Sequence, residues 1–204
     1  MATSMHTAKD ILLKPEHGWL DDGMNPDEEA MNPDQEPMNR DHERSQQGIE
    51  ASLRLAIEFH LGQRDKAGDA YLLHVLRVML AGSDAEAMQA GLLHDLLEDT
   101  PATLETMQRA GLSDSVIEAV ALLTKPEAMA YSSYIVRLAG HPLASRVKRA
   151  DLQDNYGLHR VAYRSGHAME DGKRLQRYIL AYQFLSGEIE QSEFLDRMRD
   201  VDSV

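Results

Sequence analysis

This chain is predicted to be all-α, on three observations. Leu, Ala and Met are abundant while aromatic residues make up 5% of the 204 positions, a composition that favours helices over sheets. Apolar residues recur at three- and four-residue intervals through much of the chain after Ser45. No stretch alternates apolar and polar residues over the length of a strand. At 43% hydrophobic residues the chain can bury one core of ordinary size, so we expect a single multi-helix domain over 45–204 preceded by an arm over 1–44.

The arm differs in composition from the rest. It holds four of the seven prolines and a repeated Met-Asn-Pro-Asp at 24–27 and 31–34, which reads as a pair of turns. Twelve acidic and four basic side chains in residues 1–50 carry −8 of the net −13. Ile11-Leu12-Leu13 and Trp19-Leu20 are its candidate anchors onto the domain or a second subunit.

The helices follow in order. Ile49, Leu53, Ile57 and Leu61 suggest a first helix with Ser45 as N-cap and Gly62 as stop. A polar loop over 63–70 leads to a helix over 71–81 that carries Leu72, Leu73, Val75, Leu76, Val78 and Met79 around His74. The next runs over 83–99, with Ser83 and Glu86 at capping-box spacing. Helices over 103–110, 113–123, 132–139 and 142–155 are punctuated by Pro101, Gly111, Pro126 and Gly140-His141-Pro142, and two more close the chain over 171–185 and 192–198.

Charge and cysteine content narrow the function. A net −13 disfavours duplex nucleic acid and anionic membranes as partners, while a metal and a few local Lys or Arg side chains still permit a small phosphorylated nucleotide. With no cysteine there are no disulfides, thiolate metal sites or cysteine nucleophiles, which fits a cytoplasmic protein. Neither a secretory signal nor a membrane-spanning run is present, and homo-oligomerisation stays open.

The chemistry concentrates in His94-Asp95-Leu96-Leu97-Glu98-Asp99-Thr100, where an imidazole and three carboxylates interrupt Leu-rich sequence. On a continuous helix His94 and Glu98 share a face, as do Asp95 and Asp99; the alternative is a solvated helix end before Pro101. His74 stands among leucines and valines one helix earlier, and Asp151 follows a helical stretch far downstream. His74, His94, Asp95 and Asp151 form a nitrogen and oxygen donor set suited to Mn²⁺, Fe²⁺, Co²⁺ or Zn²⁺. Lys66 and Lys148 are candidate phosphate contacts.

His74, then adjacent His94-Asp95, then distant Asp151 resembles the pattern of the HD-domain metal-dependent phosphohydrolases. Gly62-Gln63 with Lys66-Ala67-Gly68-Asp69-Ala70-Tyr71-Leu72-Leu73-His74 narrows the resemblance to the Rel/Spo alarmone hydrolases, whose stretch reads Gly-Gln-x-Arg-Lys-Ser-Gly-Glu-Pro-Tyr-Ile-x-His. His94 to Thr100 is similar to their His-Asp-x-x-Glu-Asp-Thr, and Lys148-Arg149-Ala150-Asp151 with Asn155 to their Lys-Leu-Ala-Asp-Arg-Leu-His-Asn. His60 and Thr124-Lys125 also fall where that family has His and Thr-Lys.

The resemblance covers about residues 49–185 and implies an HD-type helical domain that removes the 3′-pyrophosphate from ppGpp or pppGpp, usually with Mn²⁺. It implies that Glu98 and Asp99 orient and deprotonate the attacking water and that Asn155 contacts the nucleotide. The chain's length suggests a hydrolase-only, Mesh-type small alarmone hydrolase. Two departures stand out: Asp65 replaces the family's Arg, and Leu152-Gln153-Asp154 replaces Arg-Leu-His. The first leaves open whether Arg64 takes over or the base pocket differs. The competing readings are the same chemistry on another nucleotide, such as NADPH or an adenosine alarmone, and a non-catalytic HD scaffold that binds a partner.

Overall fold

The computed structural model describes residues 35–157 and 166–203, and their elements are α-helices, with one isolated antiparallel bridge between Arg64 and Ala70. The expected anchors and turns within residues 1–34 lie outside the described residues.

Helix α1 spans Gln35–His60 and so begins upstream of the expected Ser45 cap. Residues 38–47 contain neither Gly nor Pro, and Glu43, Arg44, Gln46 and Gln47 are good helix formers, so nothing local stops the helix at Ser45. Its buried face also differs from the expected stripe. Ser52, Leu55, Ala56 and His60 are buried, whereas Ile57 and Leu61 are exposed. Residues four apart drift by about 40° per step around a helix of 3.6 residues per turn, so a strict four-residue stripe winds off the core face.

Helix α2 (Leu72–Leu80) and helix α3 (Ala85–Leu93) follow, α3 being capped by Asp84, whose carboxylate accepts the Ala87 N–H at 2.9 Å. Ser83 is therefore not the cap: its hydroxyl donates to Asp84, and Glu86 accepts instead from Ser113 and Ser115. The expected continuous helix over 83–99 is broken at His94-Asp95, and α4 is the single turn Leu96–Asp99. Asp95 leaves helical geometry, at φ −104° and ψ 4°, although its carbonyl still accepts the Asp99 N–H at 2.9 Å.

Beyond the break come α5 (Leu104–Arg109), α6 (Asp114–Leu123), α7 (Tyr131–Ala139), α8 (Pro142–Tyr156), α9 (Ala168–Leu185) and α10 (Gln191–Ser203). Thr103 and Ser113 cap α5 and α6 through their hydroxyls, as their position before each apolar run predicts. His141 caps α8, accepting the Ala144 N–H at 3.2 Å beside Pro142 at the first helical position.

Helix α3 is the centre of the fold, packing against α1, α2, α6 and α8. Ala87, Ala90, Leu92 and Leu93 are buried around its circumference, the pattern of a helix enclosed on all sides. Gly91 allows the close approach of α2: a Cβ there would lie 3.0 Å from the Met79 backbone. That contact brings the histidines of the two helices within reach of each other. No helix among the described residues is long and apolar enough to cross a membrane.

Candidate metal centre and catalytic cleft

Three elements converge on one buried point. His74 sits in the first turn of α2, His94-Asp95 at the break after α3, and Asp151 in the second half of α8. The two imidazole Nε2 atoms face each other at 3.1 Å. Asp95 Oδ2 lies 2.8 Å from His94 Nε2 and 3.7 Å from His74 Nε2. Asp151 Oδ1 lies 3.2 Å from His74 Nε2 and 3.6 Å from His94 Nε2. His74, His94 and Asp95 each offer an atom within 4.8 Å of the others; Asp151 is outside that group but lies against both imidazoles.

The far sides of the rings decide the tautomers. His94 Nδ1 lies 2.8 Å from the Gly91 carbonyl, which can only accept, so Nδ1 carries the proton. His74 Nδ1 lies 2.6 Å from Asp154 Oδ2. Asp154 is held well below the usual carboxylate range: burial opposes this, and the Arg77 and His74 hydrogen bonds overcome it. An ionised Asp154 makes Nδ1 the donor here too.

When neutral, both rings therefore point unshared Nε2 pairs at each other and at two carboxylates. Such an arrangement requires positive charge at its centre. The Asp95 and Asp151 carboxylates accordingly raise both histidines above the usual imidazole value against the penalty of burial. A divalent cation fits the same point, and the N₂O₂ donor set suits one.

No family model matches the chain. Over 142 residues, 64% of this chain, it is 31% identical to a GTP pyrophosphokinase of Streptomyces coelicolor. Over 118 residues, 52% of this chain, it is 34% identical to a guanosine-3′,5′-bis(diphosphate) 3′-pyrophosphohydrolase of Aquifex aeolicus. The alignment spans 17% of the length of each of these relatives. A 75-residue stretch, 35% of this chain, is 39% identical to 10% of the bifunctional (p)ppGpp synthase/hydrolase SpoT of Escherichia coli. The fold matches a solved structure, described as a metazoan orthologue of SpoT that hydrolyses ppGpp and plays a role in starvation responses. That match has a TM-score of 0.58 at 23% identity and covers 76% of this chain and 93% of that one.

Over these stretches the chain is similar in sequence to proteins of the Rel/Spo group, and it shares the fold of the metazoan orthologue.

Several of the motif residues quoted above, among them Tyr71, Asp95, Glu98, Asp99, Asp151 and Asn155, line a cleft of about 440 Å³. It is lined by Asp95, Asp151, Glu98 and Asp99 together with the basic Arg64, Lys66, Lys148 and Arg174. Glu98 accepts the Lys125 N–H at 3.1 Å, so the Thr-Lys motif acts through its backbone. Asp99 accepts from the Tyr71 hydroxyl at 3.2 Å, and burial together with the Asp95 charge raises its pKa. Tyr71 also donates to Asp95. Burial, then Asp95, push its phenol above the ordinary range, so it remains a donor. Sequence reasoning passed over Tyr71 as a functional residue, although it is part of the motif quoted before His74.

The candidate substrate contacts divide. Lys66 lines the cleft. Lys148 instead reaches inward to Asp151 Oδ2 at 2.7 Å with its side chain 17% exposed, and Asn155 Nδ2 donates to Asp151 Oδ1. Both line the cleft while orienting a candidate ligand carboxylate. Asp65 folds into its own loop, its Oδ1 accepting the N–H groups of Ala67 and Asp69, each at 2.9 Å. Gly68, at φ +90°, closes that turn. Tyr131, Tyr134 and Tyr178 pack in or against the core, and Tyr178 also lines the cleft.

Proposed function

We propose that this chain is a divalent-metal-dependent hydrolase that removes the 3′-pyrophosphate of ppGpp or pppGpp, giving GDP or GTP and pyrophosphate. The observation that carries this reading is the convergence of His74, His94, Asp95 and Asp151, whose two carboxylates also line a cleft with basic side chains. The sequence similarity to the Aquifex pyrophosphohydrolase over 118 residues supports the substrate class.

These four residues hold the ion in this reading. Two neutral imidazoles and two carboxylates favour Mn²⁺, with Fe²⁺, Co²⁺ and Zn²⁺ compatible with the same donors. An ion held there would supply Lewis acidity, lowering the pKa of a water and withdrawing charge from the substrate phosphorus. Glu98 and Asp99 handle that water: the Lys125 N–H and the Tyr71 hydroxyl fix their carboxylates, and the raised pKa of Asp99 suits a group that takes up a proton. Lys66 and Asn155 meet the phosphates and the nucleotide. Lys148 keeps Asp151 ionised and aimed at the ion.

The test is release of pyrophosphate from ppGpp by purified protein with Mn²⁺, and its loss in His94→Ala. A substrate panel containing pppGpp, the adenosine analogue and NADPH checks the base. Asp65, turned into its own loop, is the observation that makes this panel necessary. Turnover of the adenosine compound or NADPH in place of ppGpp would move the same chemistry to a different nucleotide.

A further inference from the structure

The two histidines are held unequally. His94 rests against a backbone carbonyl, whereas His74 rests against a carboxylate that is itself gripped by a guanidinium. Arg77 Nε donates to Asp154 Oδ1 and its Nη2 to Oδ2 at 3.1 Å, a two-pronged contact across the junction of α2 and α8. We propose that Asp154, clamped by Arg77, is a positioning residue that fixes His74 as a metal ligand and ties α2 to α8 around the ion. The proposal rests on the metal-centre reading above.

The helical spacing supports this role. His74 and Arg77 lie three apart on α2, and Asp151 and Asp154 lie three apart on α8, so each pair occupies one helix face. His74 touches both acidic residues of α8, one through each ring nitrogen. The same carboxylate therefore sets the ring's orientation, places the proton on Nδ1 and leaves Nε2 for the ion. Its charge also makes Nε2 a stronger donor than a neutral carbonyl would.

Fold stability alone gives no reason for this arrangement. Asp154 is 7% exposed and stands near two further carboxylates, where an apolar side chain of similar size would serve packing as well or better. Arg77 extends to 37% exposure, so it reaches inward to a partner it does not need for solvation. Asp154 also falls within the Leu152-Gln153-Asp154 segment that departs from the resembled motif, and Arg77 lies outside every motif quoted above.

The experiment measures the Mn²⁺ dissociation constant of the metal-stripped full chain by titration calorimetry. Wild type, Asp154→Asn, Asp154→Ala and Arg77→Met are compared. Loss of the carboxylate in Asp154→Ala weakens Mn²⁺ binding by about 10- to 100-fold. Asp154→Asn, which keeps an acceptor without charge, falls between that and wild type, and Arg77→Met shifts binding the same way by less. Because the role acts through the ion, saturating Mn²⁺ restores ppGpp turnover in Asp154→Asn. Melting of the metal-free proteins identifies a variant that has merely lost its fold; Asp154→Asn, isosteric with the native side chain, then carries the comparison.

Mn²⁺ affinity in folded Asp154→Asn and Asp154→Ala within twofold of wild type would overturn the proposal, as would turnover that stays low at saturating metal or a wild type that binds no Mn²⁺. A wild type that binds Mn²⁺ but releases no pyrophosphate overturns the hydrolase reading alone, because the affinity ratios stand without substrate.

Discussion

The donor ring and the loop over 63–70 sit on opposite sides of one cleft and are built on opposite principles. In the ring, His74, His94 and Asp151 are each 3% exposed or less, and His74 joins α2 to both the end of α3 and α8. In the loop, Arg64, Asp65 and Gly68 bond mainly to one another: Asp65 caps two N–H groups and Arg64 Nη1 donates to the Gly68 carbonyl. The ring is fixed by the core, whereas the loop lies at the surface and meets the site through Gln63, whose Nε2 donates to the Asp99 carbonyl at 3.2 Å. In the proposed reading the buried side holds the ion and the exposed side meets the substrate.

Substitutions on the two sides separate these roles. The largest effect belongs to the ring: His94→Ala or Asp95→Ala removes a donor and lowers pyrophosphate release by about 10³-fold or more, equivalent to several kcal/mol of transition-state stabilisation. Metal content measured on the same samples shows whether the ion was lost. Next, Glu98→Gln lowers kcat by about 10²-fold or more while leaving Mn²⁺ affinity near wild type, as loss of a proton acceptor predicts. Equal loss of metal and activity would make Glu98 a ligand instead.

On the exposed side the effects shrink and change kind. Lys66→Ala raises KM by about tenfold, or about 1.4 kcal/mol of phosphate binding, with kcat little changed. Smallest of all, and away from both regions, Asp84→Ala removes the α3 cap and costs about 1 kcal/mol in a denaturant melt with no change in KM. Backbone hydrogen bonding to Ala87 lowers the Asp84 pKa, so its contribution is present above the ordinary carboxylate value and is lost as pH falls through the lowered one.

Local signals made much of the fold legible in advance. Thr103, Ser113 and the His141-Pro142 pair start helices where capping chemistry places them, and the apolar run before and after His74 marks α2. The break at Asp95 left no such mark, because the Leu-rich sequence around it suits a continuous helix and the bend arises where three helices meet. The start of α1 was missed for the opposite reason, a good cap at Ser45 embedded in sequence that is helical anyway.

The same division holds in the site. His74, His94, Asp95 and Asp151 were visible as residue types interrupting apolar sequence, and the structure brings them together. Asp154 and Arg77 were not, since they meet across 77 positions of chain and neither spacing nor composition relates them. Lys148 was read as a phosphate contact from its charge, whereas the fold turns it towards Asp151.

The central claim, a metal-dependent hydrolase whose ion sits in the His74, His94, Asp95 and Asp151 ring, is tested most directly by pyrophosphate release from ppGpp. Metal-stripped protein is compared with and without added Mn²⁺, for wild type and Asp95→Ala. Turnover that appears only with Mn²⁺ and only in wild type is the predicted result. Turnover that is unchanged without metal, or retained in Asp95→Ala, would contradict it.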